Sequence, residues 1–173
     1  MAVVINGSAG VTTNSGAVYN GISAGTAVAS TSGTSIDFTS IPSWVKRITV
    51  MFNGVSTNGT SNLFVQLGAG SITTTGYLSG STTFSGGTQA NATTGILVTA
   101  GILATDVTGG SLIISLLGSN AWVASGVVTR TSASYGSSSA GQVTLSGTLD
   151  RIRITTVNGT DTFDAGSINI LYE

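Results

Sequence analysis

Along the 173 residues, apolar side chains alternate with polar ones, and nowhere do they recur at helical spacing over three turns. A chain with a period of two must build its core from strands, since alternate side chains of a strand leave opposite faces. The clearest case lies between Thr34 and Gly68. From Trp44 to Phe52 the even positions Trp44, Lys46, Ile48, Val50 and Phe52 make one face that is apolar after the lysine, and Arg47, Thr49 and Met51 make the other. Asn58-Gly59 then supplies a tight turn, and Leu63, Val65 and Leu67 alternate with Phe64 and Gln66. This spacing predicts an antiparallel hairpin in one wall of an all-β domain, with the Trp44 face in the core. Pro42, the only proline, marks the corner before the first strand. The opposite face, with Met51 and Phe64 beside Thr49 and Gln66, is a candidate subunit interface. On that reading Phe64→Asp weakens the oligomer more than the fold.

Charge sharpens the expectation of assembly. Only 6% of residues are charged, against about 25% in an average soluble domain, and charged residues are what normally keep monomers dispersed. The five basic residues are scattered and form no stripe with aromatics, which argues against nucleic acid. The longest apolar runs, such as Leu112 to Leu117, are too short to span a membrane as a helix. The N-terminus lacks the basic start and long apolar centre of a secretion signal, so synthesis in a host cytoplasm is expected. Without cysteine there is neither disulfide nor thiolate site, and without histidine the commonest general base and metal ligand are both missing.

In chain order, residues 1–22 differ from the rest. Short apolar groups, Val3, Val4 and Ile5 and then Val18, Tyr19 and Ile22, are separated by Gly- and Ser-rich spacers. Such a segment cannot close a core; it reads as an anchoring arm that pairs with another subunit's open edge, or as the first edge strand of the same domain. Residues 23–173 are the domain. Short strands are expected around TAVAST and Ser35–Phe38, and another around Ile72, Tyr77 and Leu78. Residues 79–95 and the SASYGSSSAGQ segment read as polar surface loops. Gly95 to Leu103 and Leu112 to Leu117 are apolar on both faces, so Ile113 and Leu117 belong to a subunit interface or to a central sandwich strand. Trp122 to Thr131 reads as a strand. Arg151 to Thr156 alternates charged residues with Ile152 and Ile154, turns at Asn158-Gly159, and returns through Ile168, Ile170 and Tyr172. Eight to ten evenly spaced strands predict an antiparallel β-sandwich of the jelly-roll kind.

Catalytic chemistry finds little support. A Ser-His-Asp triad is excluded by composition, and Lys46 has no S-x-x-K companion. Asp161 and Asp164 could approach a calcium ion, but the spacing of a dedicated loop is absent, and turn-forming aspartates explain them better. Asp106 and Asp150, the only other conceivable hydrolytic pair, are unlinked in sequence. No cofactor and no enzyme activity are expected. Tyr77, Phe84 and Tyr135, set among Ser, Thr, Asn and Gln, are candidate receptor contacts: flat rings among hydrogen-bonding side chains.

The passages GTSIDFTSIPSWVKRITVMFNGVSTNGTSNLFVQLG and RIRITTVNGTDTFDAGSINILYE, with GYLSG between them, resemble the β-rich C-terminal domains of tail-fibre and other virion proteins of tailed bacteriophages. MAVVINGSAGVTT resembles the short stretch that opens many such proteins. The resemblance implies a non-enzymatic virion component, commonly a homotrimer, held to capsid or tail proteins by its N-terminus and reaching toward a host surface glycan. The readings that follow are a short tail fibre, a capsid decoration or cement protein, or a free carbohydrate-binding module.

Overall fold

The computed structural model describes residues 21–85, 87–131 and 136–173, together with the backbone of three short strands before residue 20. These three, β1 (Val4–Asn6), β2 (Gly10–Thr12) and β3 (Val18–Tyr19), pair antiparallel with one another in a small sheet of their own. The remaining chain forms β4 (Ser23–Ala24), β5 (Val28–Ala29), β6 (Ser35–Thr39), β7 (Arg47–Thr57), β8 (Leu63–Ala69), β9 (Ser71–Ile72) and β10 (Leu78–Thr83). It continues through β11 (Gln89–Ala92), β12 (Ile96–Leu97), β13 (Thr108–Gly118), β14 (Ala121–Arg130), β15 (Gly136–Thr144), β16 (Arg151–Thr156) and β17 (Phe163–Tyr172).

These strands make two antiparallel sheets packed as a β-sandwich. The larger has nine strands in the order β11-β10-β15-β14-β13-β7-β17-β4, with β5 also on β17; the smaller has five, β12-β8-β16-β6, with β9 on β8. Their inner faces carry the core: Ile48, Val50, Phe52, Leu112, Ile114, Trp122, Val128, Ile168 and Ile170 from the large sheet, and Ile36, Phe38, Leu63, Val65, Leu67, Ile152 and Ile154 from the small one. The alternation of β7, β16 and β17 read from the sequence is therefore the alternation of the structure.

The expected hairpin is not. β7 pairs with β13 and β17 in the large sheet, whereas β8 pairs with β12 and β16 in the small one. Asn58-Gly59 is thus a corner that carries the chain from one sheet to the other, and Asn158-Gly159 does the same between β16 and β17. Period-two patterning states that two runs are half-buried strands; it cannot state whether they share a sheet or face each other across a core.

The two segments expected to be polar loops are also largely strand. β10 and β11 form a hairpin, and GSSSAGQ at 136–142 belongs to β15, paired on both sides, while residues 132–135 of that segment lie outside the described residues. The inward face of β10 and β15 is hydroxyl-rich because it packs against the short edge strand β12 and the irregular residues 98–102 that follow, whose buried backbone needs partners. Ser79 Oγ accepts the Leu97 amide at 2.8 Å and Ser137 Oγ that of Ala100 at 3.4 Å; Ser139 Oγ donates to the Val98 carbonyl at 3.0 Å. Beside this segment Arg130 and Asp106 form a buried ion pair at 3.0 Å. The same guanidinium donates to the Gly101 carbonyl at 2.7 Å.

Candidate functional site

Among the described residues the outward face of the large, nine-stranded sheet is the candidate surface. Cross-strand register fixes its rows. One row runs Leu171, Thr49, Ile113, Ser125, Ala140, Gly80, Asn91; the next runs Asn169, Met51, Ser111, Val127, Ser138, Thr82, Gln89. Neither row holds a charge. A third row, Arg47, Ser115, Val123, Gln142, Leu78, has only Arg47, which pairs with Glu173 at the sheet's end. Ile113 is 43% exposed, Val127 53%, and Leu78, Leu117 and Val123 are also bare. Large apolar side chains thus stand on β13 and β14 with Met51 of β7 beside them and Leu78 at the head of β10, while Gly80 and Ala140 leave a trough over β10 and β15. Two overlapping hollows of about 320 and 370 Å³ share Gly80, Asn91 and Ala140 there.

The outward face of the small sheet is different. Phe64, a candidate interface residue, is only 3% exposed. Its ring lies against Gly95, where an added Cβ would fall 2.0 Å from Cδ2, so only glycine admits it. Gln66 is pinned there too, donating from Nε2 to the Thr94 carbonyl at 2.9 Å. Phe64 therefore belongs to the fold and not to an exposed interface, because the chain's own 93–95 segment covers it. Met51, the other interface candidate, does lie on the outward face of the large sheet, half-buried.

The sheet-crossing corners interlock. The Asn58 amide donates to the Thr162 carbonyl at 2.9 Å and the Thr162 amide returns to Asn58 Oδ1 at 2.9 Å. Asp161 accepts the Ser61 amide at 2.9 Å and Asn158 Nδ2 at 2.6 Å, and lies so close to Gly59 that a Cβ there would meet its carboxylate at 2.1 Å. Asn158 Oδ1 accepts the Thr160 amide at 3.1 Å, an Asx turn. Asp164 meets the Ser56 hydroxyl. Among the described residues no group of three acidic or other metal-ligating side chains comes together. Asp106 and Asp150 are not brought together: Asp106 pairs with Arg130, and Asp150 with Arg151 at 2.8 Å.

The receptor candidates separate. Tyr77 is 4% exposed and its hydroxyl is enclosed by backbone, accepting the Leu67 amide at 2.7 Å and donating to the Thr73 carbonyl at 3.0 Å. Burial pushes its pKa up to about 12, against the opposing pull of the Leu67 hydrogen bond. It is an internal brace. Phe84 is 59% exposed, with its ring over Gly136 at the end of the trough. Tyr135 and Val3 lie outside the described residues; Val4 and Ile5 fall on β1 and Val18 and Tyr19 on β3, of which the backbone alone is described. Ile22 is exposed just before β4. Trp44, expected in the core, precedes β7 and stands half in solvent, its ring 5.8 Å from that of Tyr172. Alternation extrapolated three residues beyond the true strand start places Trp44 wrongly in the core.

Comparison with protein-family models, with curated proteins and with solved structures gave no match.

Proposed function

We propose that this chain is a non-enzymatic structural protein of a bacteriophage virion, a short homotrimeric fibre whose subunits associate through the outward face of the large sheet. The observation that carries the reading is that face: two full rows without charge in which Ile113 and Val127 stand bare, flanked by the exposed Val123 and Leu78 of the next row, on a sheet whose other side already encloses a complete core. Exposed apolar surface of this breadth is what assembly interfaces consist of. The virion assignment leans on the resemblance of residues 34–173 to phage fibre domains, and a jelly-roll ancestry for the sandwich belongs to the same reading. In it residues 1–22 attach the trimer to capsid or tail proteins, and Phe84 is the remaining described candidate for a host glycan. A non-catalytic role is supported by the carboxylates: Asp37, Asp106, Asp150, Asp161, Asp164 and Glu173 are each engaged by a neighbouring side chain.

Sedimentation equilibrium of the purified chain tests the assembly, with a mass three times 17.1 kDa expected; a monomer at micromolar concentration would reject it. Labelling of the chain on intact particles, viewed by electron microscopy, tests the location. Label at tail or fibre positions is expected, label over the capsid surface assigns a decoration protein instead, and no label on particles rejects the virion reading.

A further inference from the structure

We infer that the subunit contact is directional: the apolar block of Ile113, Met51 and Val127 on one copy seats in the trough floored by Gly80 and Ala140 on the next. The inference rests on the assembly proposed above and names the surfaces that meet. Along one register row the side chains fall in size from Ile113 through Ser125 and Ala140 to Gly80, so a raised half and a hollowed half stand side by side on one sheet face. The hollows over Gly80 and Ala140 have walls of Leu78, Asn91, Thr82 and Gln142, with no charge among them. An apolar insert therefore meets no unpaired ion there.

A second copy suits this surface better than a small ligand does. A neutral sugar in the trough would leave Ile113 and Val127 bare, whereas in the trimer one neighbouring copy covers the raised half and the other the hollowed half. The face from β10 to β7 spans roughly 24 Å by 30 Å, or about 700 Å², which a trimer divides into two contacts of about 350 Å² per partner, each smaller than the ~800 Å² of a standard interface, so that stability depends on closing the ring. Raised half to hollowed half can be met reciprocally by a two-fold pair or head to tail; in the trimer proposed above it is head to tail, and such a contact closes as a ring.

Because the chain has no cysteine, engineered disulfides read the geometry without background. Ile113→Cys combined with Ala140→Cys places one thiol on each half, and a bridge forms only where the Cα atoms approach within about 7 Å. The double variant, oxidised and run without reductant, is expected to give a trimer band, while each single variant remains a monomer. A ladder that stops at dimer would show reciprocal two-fold packing and overturn the directional contact. Absence of any cross-link in a protein that still sediments as a trimer would overturn it as well, while leaving the assembly intact. A wild-type monomer would instead remove the reading on which it rests. Ala140→Trp, which fills the trough, is expected to lower the trimer fraction at least tenfold with the thermal midpoint of the monomer unchanged. If it leaves the trimer intact but abolishes retention on a neutral-glycan array, the trough belongs to a sugar and the proposal fails.

Discussion

The two sheets turn different outer faces to the surroundings. On the small sheet the outward rows hold Arg151, Arg153, Asp37 and nearby Asp150, and the apolar Phe64 is roofed by Gly95 of the same chain. On the large sheet the central rows hold no charge at all, and no segment among the described residues roofs Ile113 or Val127. A chain with eleven charges has placed four of them on the smaller face and none in the two central rows of the larger one. Intrachain covering and ion pairs finish one face; the other is left bare within this chain. That difference bears on every substitution on either surface.

The contrast is broken most severely at Phe64. If its ring is part of the fold, Phe64→Ala should cost about 3–5 kcal/mol of stability in denaturant unfolding, while the trimer, at concentrations where the chain remains folded, keeps its mass. A variant that folds normally but dissociates would show that the small sheet carries the interface after all.

The complementary change lies on the large sheet. Ile113→Asp puts a carboxylate into an apolar contact, and a central anchor of this kind is worth about 2 kcal/mol or more, so the dissociation constant should rise at least about thirtyfold while the monomer's unfolding midpoint moves little. Thr39→Asp on the small sheet is the control and should leave sedimentation unchanged.

How much of this was legible beforehand depended on the physical signal. β7, β16 and β17 could be read because each has one apolar and one polar face. The paired status of β15 could not be read, because Ser137 and Ser139 face inward toward backbone amides and carbonyls of residues 96–102, and a serine strand that serves buried peptide groups has the composition of a loop. Phe64 was misread for a related reason: what covers it is Gly95, which has no side chain to advertise the contact. The pattern of Leu112–Leu117 alone fits either an interface or a central strand; the structure leaves Ile113 and Leu117 exposed, so within this one chain it is not a strand buried on both sides. The two Asn-Gly turns were found but given the wrong geometry. Turn chemistry reports a positive φ, as at Gly159 with φ 68°, and not which sheet receives the next strand.

Tyr77 braces the edge of the small sheet, and it gives the fold an alkaline limit. Its folded pKa is near 12, against about 10 for an exposed tyrosine. The contribution is complete below pH 10, and is lost as pH rises from 10 through 12, because the unfolded chain releases the proton first. Over that window stability should fall by about 2 kcal/mol more than in Tyr77→Phe. The phenylalanine variant, lacking the hydroxyl's bonds to Leu67 and Thr73, should start about 1–2 kcal/mol lower at pH 7. Urea titrations at pH 8 and pH 11 provide the check; parallel losses in both proteins would place the alkaline sensitivity elsewhere.

The smallest effect should come from the ion pairs on the small sheet. Arg153 grips Asp37 with two parallel hydrogen bonds, Nε to Oδ1 at 2.7 Å and Nη2 to Oδ2 at 2.8 Å, yet both side chains are more than a third exposed. Solvent screening limits such a pair to about 0.2–1 kcal/mol even with good geometry. Beside it the Arg151 hydrogen bond, aided by the Gly70 amide, holds the Asp150 carboxyl below the usual carboxylate range. Its contribution is present above about pH 4 and is lost as pH falls through the depressed value. A double-mutant cycle of Arg153→Ala and Asp37→Ala should therefore yield a coupling under about 1 kcal/mol that shrinks as salt is raised toward 1 M, where the screening length falls to about 3 Å. The proposed trimer should tolerate both changes at every salt concentration, since the contact surface assigned to it carries no charge to screen. If salt or either alanine dissociated it, the charged face and not the neutral one would be where the subunits meet.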